Sequence, residues 1–445
     1  MQTPAGRDRT AFFRRGIFPL IAAAVLLPAA MSVPAADVQV GLGGQYRINA
    51  YSADNDAAAP DDQRANRLRV RQNIDLKFDP QFKTHLQIEL GHTTDNIDTT
   101  NSSTRGTRLA VRHAVLDYTF TNGIHAQAGI VPLADHFGDA LFSSDWNYNP
   151  LAYAGVFPVG GGTLRVFAAK LNEGQENITE DDFSHYQLDY RLALSGKHEI
   201  NLGAAFVRLA PSARPNTDPP TTPFASGDHV NLGLGARVAL AGGLTLNTFA
   251  VASRTDRELL GTADDGRGTA VKLELTGALA PGRFGLLATH ATGKRDHSGF
   301  LPVMALARTN GYWGYTGILT VQGPTDTGFD GDSVNVSNNG YGLSTIQARY
   351  VFPVTASLSA NVAAGWFGNA KTPAGRGEVV GTDVLLMGTY RFSKELALDF
   401  GVDRAKIKDA ASGYSNGVTG GASFNQAAGV SRDKTVFFTR LQAEF

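Results

Sequence analysis

The chain has 445 residues, of which 18% are charged and 42% hydrophobic, with 50 glycines and no cysteine. A soluble protein of this size usually carries about 25% charged residues, a helical membrane protein needs runs of roughly 20 apolar residues, and a chain without cysteine has no disulfide, thiolate metal site or attached c-type haem. Its 40 basic and 41 acidic residues, net −1, give no support to nucleic-acid binding, and aromatic residues along the whole sequence exclude disorder.

At the N-terminus Arg7, Arg9, Arg14 and Arg15 form a basic region, Ile17 to Leu27 a short apolar region, and Val33-Pro34-Ala35 offers small residues at −3 and −1. This is the pattern of a signal peptide cleaved after Ala35, too short for a membrane span. Residues 1–35 are therefore expected to be removed, leaving 36–445 as a single domain.

A period of two begins at once. Val38, Val40, Leu42, Tyr46 and Ile48 alternate with Gln39, Gln45, Arg47 and Asn49. In the next segment Leu68, Val70, Ile74, Leu76 and Phe78 interleave with Arg67, Arg69, Arg71, Asn73, Asp75 and Lys77. A helix would wrap those three arginines around its circumference, whereas a strand puts them on one face. Similar alternation recurs at 185–194, 228–240, 343–352, 356–366, 378–392 and 396–403. The segments are long enough to cross a bilayer, for which about 9–11 tilted residues suffice.

Connections alternate between short and long. The short ones include Asp79-Pro80, Thr121-Asn122-Gly123, 160–162, 195–197, Ala241-Gly242-Gly243, Pro281-Gly282, Pro353-Val354 and Ser393-Lys394, nearly all with Gly or Pro. The long ones are 53–65, 97–106, 132–149, 172–183, 211–227, 257–267, 294–340, 369–377 and 408–432. Strands entering the short turns end on Phe78, Phe120, Phe157, Phe352 and Phe392, and the last strand ends on Phe445. Tight turns at one end, long loops at the other and an aromatic girdle define a transmembrane antiparallel β-barrel. The strand count is 18, or 16 if one hairpin among 124–131, 150–157 and 163–170 is dropped.

With its signal peptide, alternation, loop asymmetry and terminal Phe445, the mature chain resembles the Gram-negative outer-membrane porins. The 68–78 strand with its arginine face is also similar to the alginate-export and substrate-specific porin families. The resemblance implies an outer-membrane location, contact with lipid and lipopolysaccharide, a water-filled lumen passing small hydrophilic solutes, and a homotrimer as one assembly. It implies no cofactor and no nucleic-acid partner.

Register follows from cost. An arginine on the lipid face at the bilayer midplane costs about 2–4 kcal/mol, so the apolar set faces lipid and the charged set the lumen. The expected wall contains Arg47, Arg67, Arg69, Arg71, Arg108 and Arg112, with Arg165, Arg191, Arg237, Lys272, Arg349 and Arg440 further round. Its acidic members include Asp75, Glu89, Asp117, Asp189, Glu274, Asp383, Asp399 and Asp403. Arg112 and Asp117 differ in parity, so both face inward only if a bulge lies between them. The Arg67/Arg69/Arg71 ladder with Arg47, Arg108 and Arg112 is the candidate constriction for anions, although lumenal Arg and Asp also pair simply to satisfy a polar interior. The 133–149 stretch follows the fifth strand, where porins fold a loop inward. There Asp135, Asp139 and Asp145 would face the arginines, while Phe137, Leu141, Phe142 and Trp146 pack the loop on the wall.

Other constellations are weak. Gly41-Leu42-Gly43-Gly44 lies inside a strand with no helix after it. His85 and Glu89 share a face but stand about 13 Å apart along a strand, and no helical histidine pair suggests zinc. No Gly-x-Ser-x-Gly elbow occurs. Asp326 to Asp332 offers hard oxygens for Ca²⁺ without EF-hand spacing, and a solvated turn is the simpler reading. The expected function is passive, anion-favouring diffusion without catalysis. An alginate-export-like channel for an anionic polymer and a barrel sheath of an envelope electron conduit stay open as alternatives.

Overall fold

The computed structural model describes residues 38–55, 63–93, 108–172 except 147, 182–209 except 196, 226–307, 313–320, 333–372, 376–410 and 431–445. The signal-peptide stretch and the candidate Ca²⁺ turn at 326–332 lie outside the described residues.

Eighteen strands close into one antiparallel barrel. They are β1 (Gln39–Asn55), β2 (Gln63–Lys77), β3 (Phe82–Thr93), β4 (Arg108–Thr119), β5 (His125–Ile130) and β6 (Leu151–Val159). Next come β7 (Gly162–Asn172), β8 (Phe183–Ser195), β9 (His198–Leu209), β10 (Gly227–Ala239), β11 (Thr245–Thr255) and β12 (Gly266–Leu279). The last six are β13 (Gly282–Ala291), β14 (Leu343–Pro353), β15 (Leu358–Asn369), β16 (Val379–Arg391), β17 (Leu396–Ile407) and β18 (Arg432–Glu444). Each strand pairs with its sequence neighbours, and β1 pairs with both β2 and β18, which leaves no edge. The three hairpin strands that decided between 16 and 18 are all present as β5, β6 and β7, and every short turn falls where the sequence placed it.

The alternation resolves into two faces. Leu42, Leu109, Leu273 and Ile346 are 70%, 73%, 56% and 67% exposed on the outside. So much bare apolar surface is compatible only with hydrocarbon around the barrel. At the short-turn end ring pairs build the girdle, with centroid separations of 5.0 Å for Phe78–Phe82, 4.8 Å for Tyr118–Phe120, 5.2 Å for Tyr350–Phe352 and 5.0 Å for Tyr390–Phe392.

The bulge that the parity of Arg112 and Asp117 demands lies in β4. Gln87 pairs with His113 and Ile88 with Val111, so Arg112 is the extra residue. Val111 on one side and Leu116 on the other face lipid, while Arg112, His113 and Asp117 are all buried inside the barrel.

Candidate functional site: a loop-lined lumen facing an arginine wall

The 131–150 connection turns into the barrel, and its shape starts at Asp135. This carboxylate accepts hydrogen bonds from the backbone N–H groups of Phe137 (2.5 Å), Asp139 (3.1 Å), Leu141 (2.6 Å) and Phe142 (3.0 Å), drawing the loop into a tight knot. Gly138 and Asp139 sit at φ 75 and 59, the left-handed region that Gly tolerates freely and Asp better than most residues. Asp139 is pushed up to about 7, first by burial and then by the charges of Asp135 and Asp145.

Phe137 anchors the knot. A β-carbon on Gly203, Gly233 or Gly235 would stand 2.9, 2.4 or 3.1 Å from its ring, so three glycines on the inner wall of β9 and β10 form its seat. Phe249 on β11 meets the ring edge-on, with centroids 6.1 Å apart. Wall side chains then hold the loop's flanks. Arg165, paired with Asp189, donates to the Ala134 carbonyl (2.6 Å), and Arg112 donates to the Ser144 carbonyl (2.6 Å). The Tyr148 hydroxyl is hydrogen-bonded to His185.

The described parts of a second connection, 292–307, 313–320 and 333–342, also enter the lumen. Phe300, Leu301, Val303 and Met304 are fully buried, and the Met304 N–H donates to the Leu141 carbonyl at 2.7 Å, joining the two loops. Further along, the Tyr315 hydroxyl donates to Glu274 (2.5 Å), and the Arg349 guanidinium lies over the Tyr315 ring at 4.3 Å. Asp383 accepts the N–H groups of Ile318 (3.0 Å) and Leu319 (2.7 Å).

The contacts of these two loops run along β4 to β17. On the neighbouring arc, β18 through β4, the inner wall is rich in arginine. Arg47 and Arg69 are direct cross-strand partners, Asn49 stands between Arg440 and Arg67, and Gln45 opposes Arg71. Arg71 pairs with Glu89 at 2.6 Å, and Arg112 reaches the same carboxylate at 3.4 Å. Arg69 donates to Gln45 (2.8 Å), Arg47 to Gln442 (2.9 Å), and Arg440 to Asp399 (2.8 Å). Arg67 donates to the Tyr51 hydroxyl (3.2 Å) and lies over its ring. Arg108 opens β4 opposite Gly91.

The sequence-derived residues therefore separate into two groups. Arg47, Arg67, Arg69, Arg71 and Arg112 stand together. Of the three loop carboxylates, Asp145 is exposed next to the carbonyl that Arg112 holds, Asp135 serves the loop's own backbone, and Asp139 lies at the tip, where a β-carbon on Gly138 would stand 2.9 Å from Lys272 Nζ. Phe137, Leu141 and Phe142 pack inside the barrel, while the side chain of Trp146 lies outside the described residues. Sequence reasoning missed the glycine seat and Tyr315. The seat did leave a signal, Gly233 and Gly235 at lumen-facing parity, but nothing in a single sequence says which ring fills it.

No protein-family model matches the sequence, and no curated protein matches it. Solved structures do. OccK11 (OpdR) of Pseudomonas aeruginosa is 12% identical over 91% of this chain and 96% of its own, with a TM-score of 0.53. OccAB4 of Acinetobacter baumannii is 12% identical over 92% and 98%, with a TM-score of 0.56. The P. aeruginosa outer membrane protein OpdK is 11% identical over 91% and 99%, with a TM-score of 0.51, and has also been solved with vanillate. At this identity the likeness is one of fold: the chain shares its barrel architecture, over nearly its full length, with outer-membrane proteins of this kind.

Proposed function

We propose that this chain is an outer-membrane channel through which small hydrophilic anions diffuse passively, in a Gram-negative cell and after removal of residues 1–35. The observation that carries the reading is the direct opposition of Arg47 and Arg69. Like charges facing each other across a sheet cost stability, and a lumen that needed only polar satisfaction would have alternated their signs. Along β18 to β4, Arg71 and Arg112 share the carboxylate of Glu89 and Arg440 pairs with Asp399, while Arg47, Arg67 and Arg69 are hydrogen-bonded to Gln442, Tyr51 and Gln45. Such a row concentrates anions and lowers their barrier to entry.

The narrowest passage lies between these arginines, with Arg108 at the head of β4, and the 131–150 loop bearing Asp135, Asp139 and Asp145. Asp145 is the carboxylate that shapes the field there, while the other two hold and position the loop. Guanidinium groups favour planar oxyanions through paired hydrogen bonds. Vanillate, a carboxylate present in one OpdK structure, exemplifies a suitable solute class. No covalent step and no energy coupling are assigned.

Planar-bilayer recording of the refolded mature protein under a salt gradient tests this. Steady conductance steps with an anion-selective reversal potential are expected, and Arg47→Gln with Arg69→Gln should shift that potential toward zero. A cation-selective pore would overturn the reading. A folded but silent barrel would favour a partner-filled sheath.

A further inference from the structure

The bulge at Arg112 brings His113 into the lumen next to His85. In a strand of unbroken alternation His113 would share the parity of Val111 and face lipid; the bulge turns it inward beside His85 on β3. The His85 Nε2 and His113 Nδ1 atoms are 3.3 Å apart. Each ring's other nitrogen meets an oxygen: His85 Nδ1 lies 2.8 Å from Asp75 Oδ1, and His113 Nε2 lies 3.0 Å from Asn149 Oδ1.

Tautomer chemistry gives this chain a direction. The Asp75 carboxylate only accepts, so His85 carries its proton on Nδ1 and presents a lone pair at Nε2. With the Asn149 oxygen toward His113, that ring carries its proton on Nε2 and presents a second lone pair at Nδ1. Two lone pairs then face each other, an arrangement that a cation between them satisfies. When two metal–nitrogen bonds of about 2.0–2.1 Å meet at a tetrahedral angle, their nitrogens stand about 3.3 Å apart. The outer partners fit the same picture, since a metal-bound histidine usually gives its second N–H to a carboxylate or carbonyl oxygen. Gln87, directly across from His113 and two residues from His85, adds a side-chain oxygen with no hydrogen-bond partner among the described residues. Local charge does not forbid a cation, because Arg71 and Arg112 share the Glu89 carboxylate and Asp75 lies against His85. The His85 side chain is 30% exposed and offers the approach.

We propose that His85 and His113 form a lumenal binding site for a zinc-type divalent cation, with water completing the coordination. Asn149 follows Tyr148 at the anchored end of the 131–150 loop, so an occupied site fastens that loop to β3 and β4. Without the ion, rotation of the Asn149 amide lets His113 donate from Nδ1 to His85. Binding therefore moves a proton between the two nitrogens of one ring and releases none.

Calorimetric titration of the tag-free, detergent-solubilised barrel with ZnCl₂ at pH 7.5 tests the site without any conductance measurement, so its failure is separable from failure of the channel reading. One Zn²⁺ per chain is expected, weakened at least tenfold by His85→Ala or His113→Ala and about tenfold by Asp75→Asn. Circular dichroism tracks refolding of each variant, and His85→Gln substitutes if the alanine variant does not fold. Absence of binding in the unaltered protein, or equal binding in both histidine variants, overturns the proposal.

Discussion

Phe137 and its three glycines illustrate how much one position can govern. The ring fills space that only the missing side chains of Gly203, Gly233 and Gly235 leave open. Replacing a buried phenylalanine by alanine costs about 3–5 kcal/mol. Phe137→Ala should therefore free the loop tip, seen as protease cleavage within 131–150 and a larger, noisier conductance. Gly233→Leu should give the same phenotype from the other side, because its side chain would occupy the ring's place. Asp139 makes a different prediction. Its ordinary value of 3.8 is raised to about 7 in the folded loop, so the folded state holds a proton that the unfolded chain releases. The sign follows from linkage: this contribution is fully present below pH 3.8 and is lost as pH rises toward and through 7. Protease resistance of the loop should fall as pH rises from about 4 to about 7 and level off above that. Asp139→Asn, which also tolerates the left-handed backbone, should remove that dependence.

At the scale of elements, β4 shows what a single sequence can and cannot reveal. The conflict between Arg112 and Asp117 required a bulge, and the structure puts it at Arg112 itself. Deleting Arg112 should leave a regular strand with Val111 still outside and His113 still inside, and the barrel should refold with normal circular dichroism. Deleting Leu273 from β12, which pairs without a register shift, should instead turn one half of that strand inside out and abolish refolding. Strand number, turn positions and the arginine face were legible because each rests on local alternation or turn chemistry. The paths of the two inward loops were not. They depend on partners brought together only by closure of the sheet, such as Met304 with Leu141 or Asp383 with Leu319. For the same reason the histidine pair was invisible: His85 and His113 are 28 residues apart and meet only once the bulge sets their register.

For the whole molecule, the loops seat along β4 to β17, the arginine-rich wall runs from β18 to β4, and the two meet at Arg112. Replacing 299–340 with a short glycine–serine linker should raise single-channel conductance yet keep anion preference, because the arginine rows lie elsewhere. A switch to cation preference would show that the loop sets selectivity. The seam between β1 and β18 has a further consequence. It pairs Gln45 with Glu444 through to Asn55 with Lys434, and at its foot Gly44 and Phe445 exchange both backbone hydrogen bonds, at 2.7 and 3.1 Å. Residues some four hundred positions apart thus form the final join, and chain entropy makes such a contact slow to find. Within hydrocarbon no water is available to replace its bonds if they part. The seam is a clasp: hard to fasten, and once fastened, a kinetic trap that keeps the hoop shut long after detergent or heat would have frayed an open sheet.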